Sequence, residues 1–111
     1  MKVLEVVNEI IENNEWLNGW CDYLDGDLMA LSKPDEYFNT VIEVDDIEVL
    51  FKELKNFVGV YKYKNLLFFK DSQHGTFVYD INDTKNYVEH LSIDDMRFEE
   101  FCEIVNKLVR W

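Results

Sequence analysis

The chain has 111 residues, 48% hydrophobic and 15% aromatic, with a net charge of −12. That size supports a single core and a single domain, and the supply of Phe, Tyr, Trp and Val separates it from disordered acidic chains. The negative charge excludes proteins that bind by neutralising phosphates, whether of nucleic acid or of an anionic membrane, and it steers basic partners toward the surface.

Residues 3–14, VLEVVNEIIENN, place Val3, Val7 and Ile10, with Leu4 and Ile11, at helical spacing. Glu5, Glu9 and Glu12 form an acidic stripe on another face. Glu5 and Glu9 also interrupt the apolar stretch that a signal peptide needs, and no 18-residue apolar run follows, so a cytoplasmic protein is expected. Trp16, Gly19 and Trp20 end this helix.

WCDYL and DLMAL are separated by Asp25-Gly26, which suits a two-residue type I′ turn and predicts a β-hairpin. The segment SKPDE, with the only proline, then breaks regular structure, and YFNTVIEV (37–44) reads as a third strand. Asp45-Asp46-Ile47-Glu48 signals a second helix, with Asp45 as cap, Glu48 reaching back, and Val44 with Val49 as hydrophobic staple. Ile47, Leu50, Phe51, Leu54 and Phe57 would supply its buried face, and Gly59 fits the position after its end.

Residues 60–91 predict a meander of four strands, VYKYK, LLFFKD, TFVYDI and YVEHL, separated by Asn65, by SQHG and by NDTKN. Ser92-x-x-Asp95 would open the last helix. Its Phe98, Phe101, Cys102, Val105, Leu108 and Val109 make one apolar face, and Lys107 and Arg110 suit the negative end of its dipole.

The charge is segregated. Residues 5–48 hold thirteen acidic side chains and one basic residue, Lys33, which accounts for the whole −12; the remainder balances ten acids against ten bases. Such a field on one half of a fold meets complementary fields or keeps the protein soluble.

Asp22, Asp25, Gly26 and Asp27 raise the question of calcium. An EF-hand loop with Gly26 at its sixth position would place Cys21, Tyr23 and Ser32 where oxygen ligands are required, so the spacing fails. Carboxylates that divide acid and base roles need a cleft, whereas Asp22 and Asp25 flank a tight turn. Cys21 and Cys102 stand far apart and read as free thiols without zinc-ligand spacing. His74 and His90 are the only histidines, and neither lies in a recognised nucleophile motif. Four glycines supply no phosphate-binding loop, so no cofactor is expected. Tyr61-Lys62-Tyr63-Lys64, with Lys70, could stack single-stranded nucleic acid, but a strand with tyrosines inward and lysines outward explains the alternation better.

The C-terminal half resembles the SUKH-type immunity superfamily. Leu67-Phe68-Phe69-Lys70-Asp71 through Gly75-Thr76-Phe77-Val78-Tyr79-Asp80 is similar to its strand–glycine turn–strand unit, with Val88 on a following strand. Phe98-Glu99-Glu100-Phe101 resembles its last helix, and Pro34-x-x-Tyr37 its proline–tyrosine signature. The resemblance implies a toxin-neutralising immunity protein of that fold, without catalytic residues.

The expectation is one α+β domain, an antiparallel sheet packed against about three helices in the order α-β-β-β-α-β-β-β-β-α. It would be non-enzymatic and would bind a basic protein such as a nuclease, toxin or nucleic-acid-binding effector, without contacting nucleic acid or membrane itself. Immunity protein and phage anti-defence protein, of the anti-CRISPR or DNA-mimic kind, are the two settings. The expected contacts are Asp22, Asp25 and Asp27 on the hairpin, Asp35 and Glu36 in the loop, and Glu5, Glu9 and Glu12 on the first helix. Trp20 is expected as an anchor, with Trp16 beside it; Asp45 and Glu48 are assigned to capping. The alternatives are a small assembly subunit and, further off, an enzyme using His74 or His90.

Overall fold

The computed structural model describes residues 3–13, 41–57, 59–70 and 75–110. In chain order these form α1 (Val3–Asn13), β1 (Val41–Glu43), α2 (Ile47–Asn56), β2 (Gly59–Tyr63), β3 (Leu66–Lys70), β4 (Thr76–Asp80), β5 (Glu89–Leu91), a 3₁₀ turn (Ile93–Asp95) and α3 (Phe98–Leu108). The architecture is α+β, and the five strands lie side by side in chain order. The hairpin expected around Asp25-Gly26 lies outside the described residues, as do residues 37–40 of the third expected strand.

β2 to β5 form the antiparallel meander that their alternating patterns predict. One pairing departs from the expected antiparallel sheet. β1 runs parallel to β2, with Val41 opposite Val60 and Glu43 opposite Lys62. A parallel pair needs a crossover, and α2 supplies it between the two strands.

One face of the sheet carries Tyr61, Tyr63, Leu66, Phe68, Val78 and Leu91, which join Leu50, Phe51 and Leu54 of α2 and Phe101 and Val105 of α3 in a single apolar cluster. The other face is covered too, because Val60, Leu67, Phe69 and Tyr79 are also buried. That double cover explains why β3 reads LLFFK, a continuous apolar run rather than an alternation. α1 buries Val6, Val7 and Ile10, and its Asn13 side chain donates to the Thr84 hydroxyl at 3.1 Å, tying the helix to the β4–β5 loop.

Helix α2 starts one residue later than expected. Val44 N–H still donates to the Lys62 carbonyl at 2.9 Å, so the chain stays in register with the sheet through Val44. Asp46, not Asp45, is therefore the cap, accepting from Glu48 N–H at 2.8 Å and Val49 N–H at 3.3 Å. Of the expected staple pair, Val44 is buried in the core and Val49 is 47% exposed. The far end differs as well: Phe57 is the C-terminal cap in an extended conformation and is 59% exposed, and Gly59 begins β2. Likewise Ser92 to Asp95 form only the 3₁₀ turn, and α3 starts at Phe98.

Lys70 is buried, and its ammonium donates to the Leu54 carbonyl in the last turn of α2 and lies 3.7 Å from Asp94. A cation at the negative end of the α2 dipole fixes that helix against the sheet and the 3₁₀ turn. Gly75 has φ of +82°, and a Cβ there would come within 2.8 Å of the Leu91 carbonyl. The β4–β5 pairing thus requires glycine at this position.

Tyr61 is fully buried, and its hydroxyl donates to the Phe57 carbonyl at 3.0 Å. Burial, reinforced by the charge of Glu53, pushes its pKa from 10.0 up to about 12. A folded pKa above the unfolded value means that the protonated phenol stabilises the fold; the contribution is complete below pH 10 and is lost as pH rises toward 12. Denaturant titrations at pH 9 and pH 11.5 should show the wild type losing roughly 2 kcal/mol more than Tyr61→Phe across that interval. Equal losses in the two proteins would place the alkaline sensitivity elsewhere.

Candidate functional site

On α1 the burial of Val6, Val7 and Ile10 turns the opposite side of the helix outward, and Glu5, Glu9 and Glu12 are all exposed. Spacings of three and four residues put the three carboxylates along one side of the helix. The structure therefore presents these expected contact residues as a surface stripe. Asp22, Asp25, Asp27, Asp35, Glu36, Trp16 and Trp20 lie outside the described residues.

A second acidic feature was not anticipated. Between β1 and the first turns of α2 a groove of about 280 Å³ opens, lined by the apolar Ile42, Val44 and Val49, by the acidic Asp45, Asp46 and Glu53, and by Glu43, which lies between Ile42 and Val44 on the strand. The parallel pairing of β1 with β2 creates it. Ile42 shares a face with Tyr61, its partner on β2, and so turns toward α2, yet it lies far enough out on the sheet to stay 40% exposed. Asp45, relieved of capping by Asp46, is exposed on the rim. The usable signal in the sequence was the strand–helix–strand order of residues 37–64, which permits a parallel pair and a cleft beside its crossover.

The other candidate chemistries are dispersed. His90 stacks on Phe77, ring centroids 4.2 Å apart, whereas its neighbour Leu91 joins the core cluster on the opposite face of the sheet. Cys102 belongs to α3, which packs on the Leu91 face, so the sheet separates thiol from imidazole. Burial and the nearby charge of Glu99 raise the Cys102 pKa, which lowers its thiolate fraction. His74 lies outside the described residues. Among the described residues no group of three His, Cys, Asp or Glu side chains is placed to hold a metal ion. No described helix is long and apolar enough to cross a membrane.

The Tyr–Lys strand presents no base-stacking surface. Tyr61 and Tyr63 are buried in the core, Lys70 is engaged by α2, and Lys64 lies 5.4 Å over the Tyr63 ring in the turn that follows. Compared with protein-family models, with curated proteins and with solved structures, the chain finds no significant match.

Proposed function

We propose that this protein is a non-enzymatic acidic binder that blocks a basic, nucleic-acid-processing partner. The observation that carries the reading is the segregation of charge, thirteen acids against one base in residues 5–48, with the described part of that segment exposing Glu5, Glu9 and Glu12 as a stripe. Carboxylates set where phosphates would lie can occupy a basic cleft, and the same charges accelerate encounter. A toxin-immunity role and a phage anti-defence role, in which the acidic surface mimics DNA, both use this chemistry.

The test is affinity capture from the host lysate at low and at high salt, with the wild type and with Glu5→Lys, Glu9→Lys and Glu12→Lys combined. The wild type should retain a basic nucleic-acid-processing protein that high salt releases. The triple variant, folded by circular dichroism, should bind that protein at least tenfold more weakly. Equal affinity of the two forms would remove α1 from the interface; no salt-sensitive basic partner at all would overturn the reading.

A second reading, a small assembly subunit, is favoured by a different observation. Tyr87 is 49% exposed and Val88 39% exposed, side by side, with Tyr87 packed edge-on against Phe77 at 5.1 Å. Adjacent exposed apolar side chains can contribute to an association surface when they belong to a larger contiguous patch. It predicts oligomers whose population rises with concentration and is insensitive to salt.

A further inference from the structure

The groove between β1 and α2 combines two properties that a long basic side chain needs together. Its floor is apolar, and two of the three floor residues, Ile42 and Val49, stay substantially exposed. Its rim is acidic, and none of the lining side chains is basic. Lys62 stands opposite Glu43 in register, Lys52 pairs with Glu48 at 3.7 Å and Asp46 caps α2, so Asp45 and Glu53 remain as the carboxylates beside the opening. At about 280 Å³ the space suits one extended side chain rather than a folded element.

We propose that this groove receives an arginine side chain from an extended segment of the basic partner. The aliphatic stem would lie over Ile42, Val44 and Val49, as the stems of long basic residues do on apolar surface. The planar guanidinium would face the rim carboxylates, where its fixed fork of donors can make two charge-assisted hydrogen bonds at once. Among the described residues β1 has a single neighbour, β2, and the groove opens beside it. The proposal rests on the reading of the protein as an acidic binder and names the part of the surface that takes the partner's anchor.

The test is a nuclear magnetic resonance titration of the full chain with Ac-Gly-Ala-Arg-Leu-Ala-Gly-NH2 and with the same peptide carrying citrulline, neutral but nearly isosteric, in place of arginine. Amide shifts should concentrate in residues 41–53, and citrulline should weaken binding at least tenfold. Asp45→Asn combined with Glu53→Gln should also weaken the arginine peptide at least tenfold, Val49→Thr severalfold, and Glu103→Gln on the exposed side of α3 less than twofold, each with an unchanged melting temperature. No binding, shifts spread equally over α1, or equal effects of Glu103→Gln and the rim variant would overturn the groove. Those outcomes leave salt-dependent capture of a partner intact. Conversely, binding of the peptide in the groove with no basic partner captured from lysate would sink the functional reading and leave the groove standing.

Discussion

Replacing Phe101 by alanine is expected to lower stability by about 3–5 kcal/mol, the usual range for removing a fully buried aromatic ring. Phe101 of α3 is completely buried, and its ring lies 5.0 Å from Phe51 of α2 and 6.2 Å from Phe68 of β3. One side chain therefore joins two helices and the central strand. Its removal takes away transfer energy, two aromatic contacts and the support that holds α3 on the sheet, and the neighbouring ring of Phe51 cannot close the space without leaving Phe98, 5.5 Å away. Chemical denaturation of Phe101→Ala against Phe98→Ala is the check. Phe98 is only partly buried, so its loss should cost less than half as much; equal losses would mean that α3 is held by its general apolar face rather than by this ring.

The second large effect concerns Asp80, at the end of β4. Its carboxylate is 6% exposed and accepts from the Asn65 amide at 3.2 Å and from Asn82 N–H at 2.9 Å, and it pairs with the Arg110 guanidinium at 3.1 Å. Asn65 extends the connection, accepting from Arg110 N–H at 2.8 Å and donating to the Leu108 carbonyl at 3.3 Å. This network fastens the β2–β3 turn and the β4 end to the chain just beyond α3. Asp80→Ala should lower stability by about 2–3 kcal/mol, since a nearly buried carboxylate with three donors is replaced by a methyl group that satisfies none. Arg110→Gln should cost under about 1 kcal/mol, because the arginine side chain is largely exposed and its ion pair is screened by water. If the two substitutions cost the same, the ion pair dominates and the hydrogen bonds of Asn65 and Asn82 contribute little. Sequence reasoning assigned Arg110 to the α3 dipole; the structure spends it on Asp80, a partner thirty residues away that no local pattern identifies.

What was legible before the fold was known follows from local periodicity. The stripe Phe101–Val105 on α3, the trio Leu50, Phe51 and Leu54 on α2, and the inward tyrosines of β2 each repeat at the period of their element, and water alone sorts such patterns. The acidic stripe of α1 was legible for the same reason, because burying Val7 and Ile10 of the expected face, joined in the structure by Val6, forces Glu5, Glu9 and Glu12 outward. Tertiary structure decided the rest. Whether Asp45 or Asp46 caps α2 depends on how far β1 stays bonded to β2, a pairing across some twenty residues. Phe57 satisfies the helical period yet is exposed, because the helix stops at Asn56 to let the chain enter β2. The groove, finally, exists only because β1 pairs parallel to β2 with α2 as the crossover. Composition and periodicity dictate which side chains seek water and which avoid it, and helical spacing alone sets Val49 beside Glu53; only the pairing of β1 with β2 decides that Ile42 turns toward α2 and closes the other side of the groove.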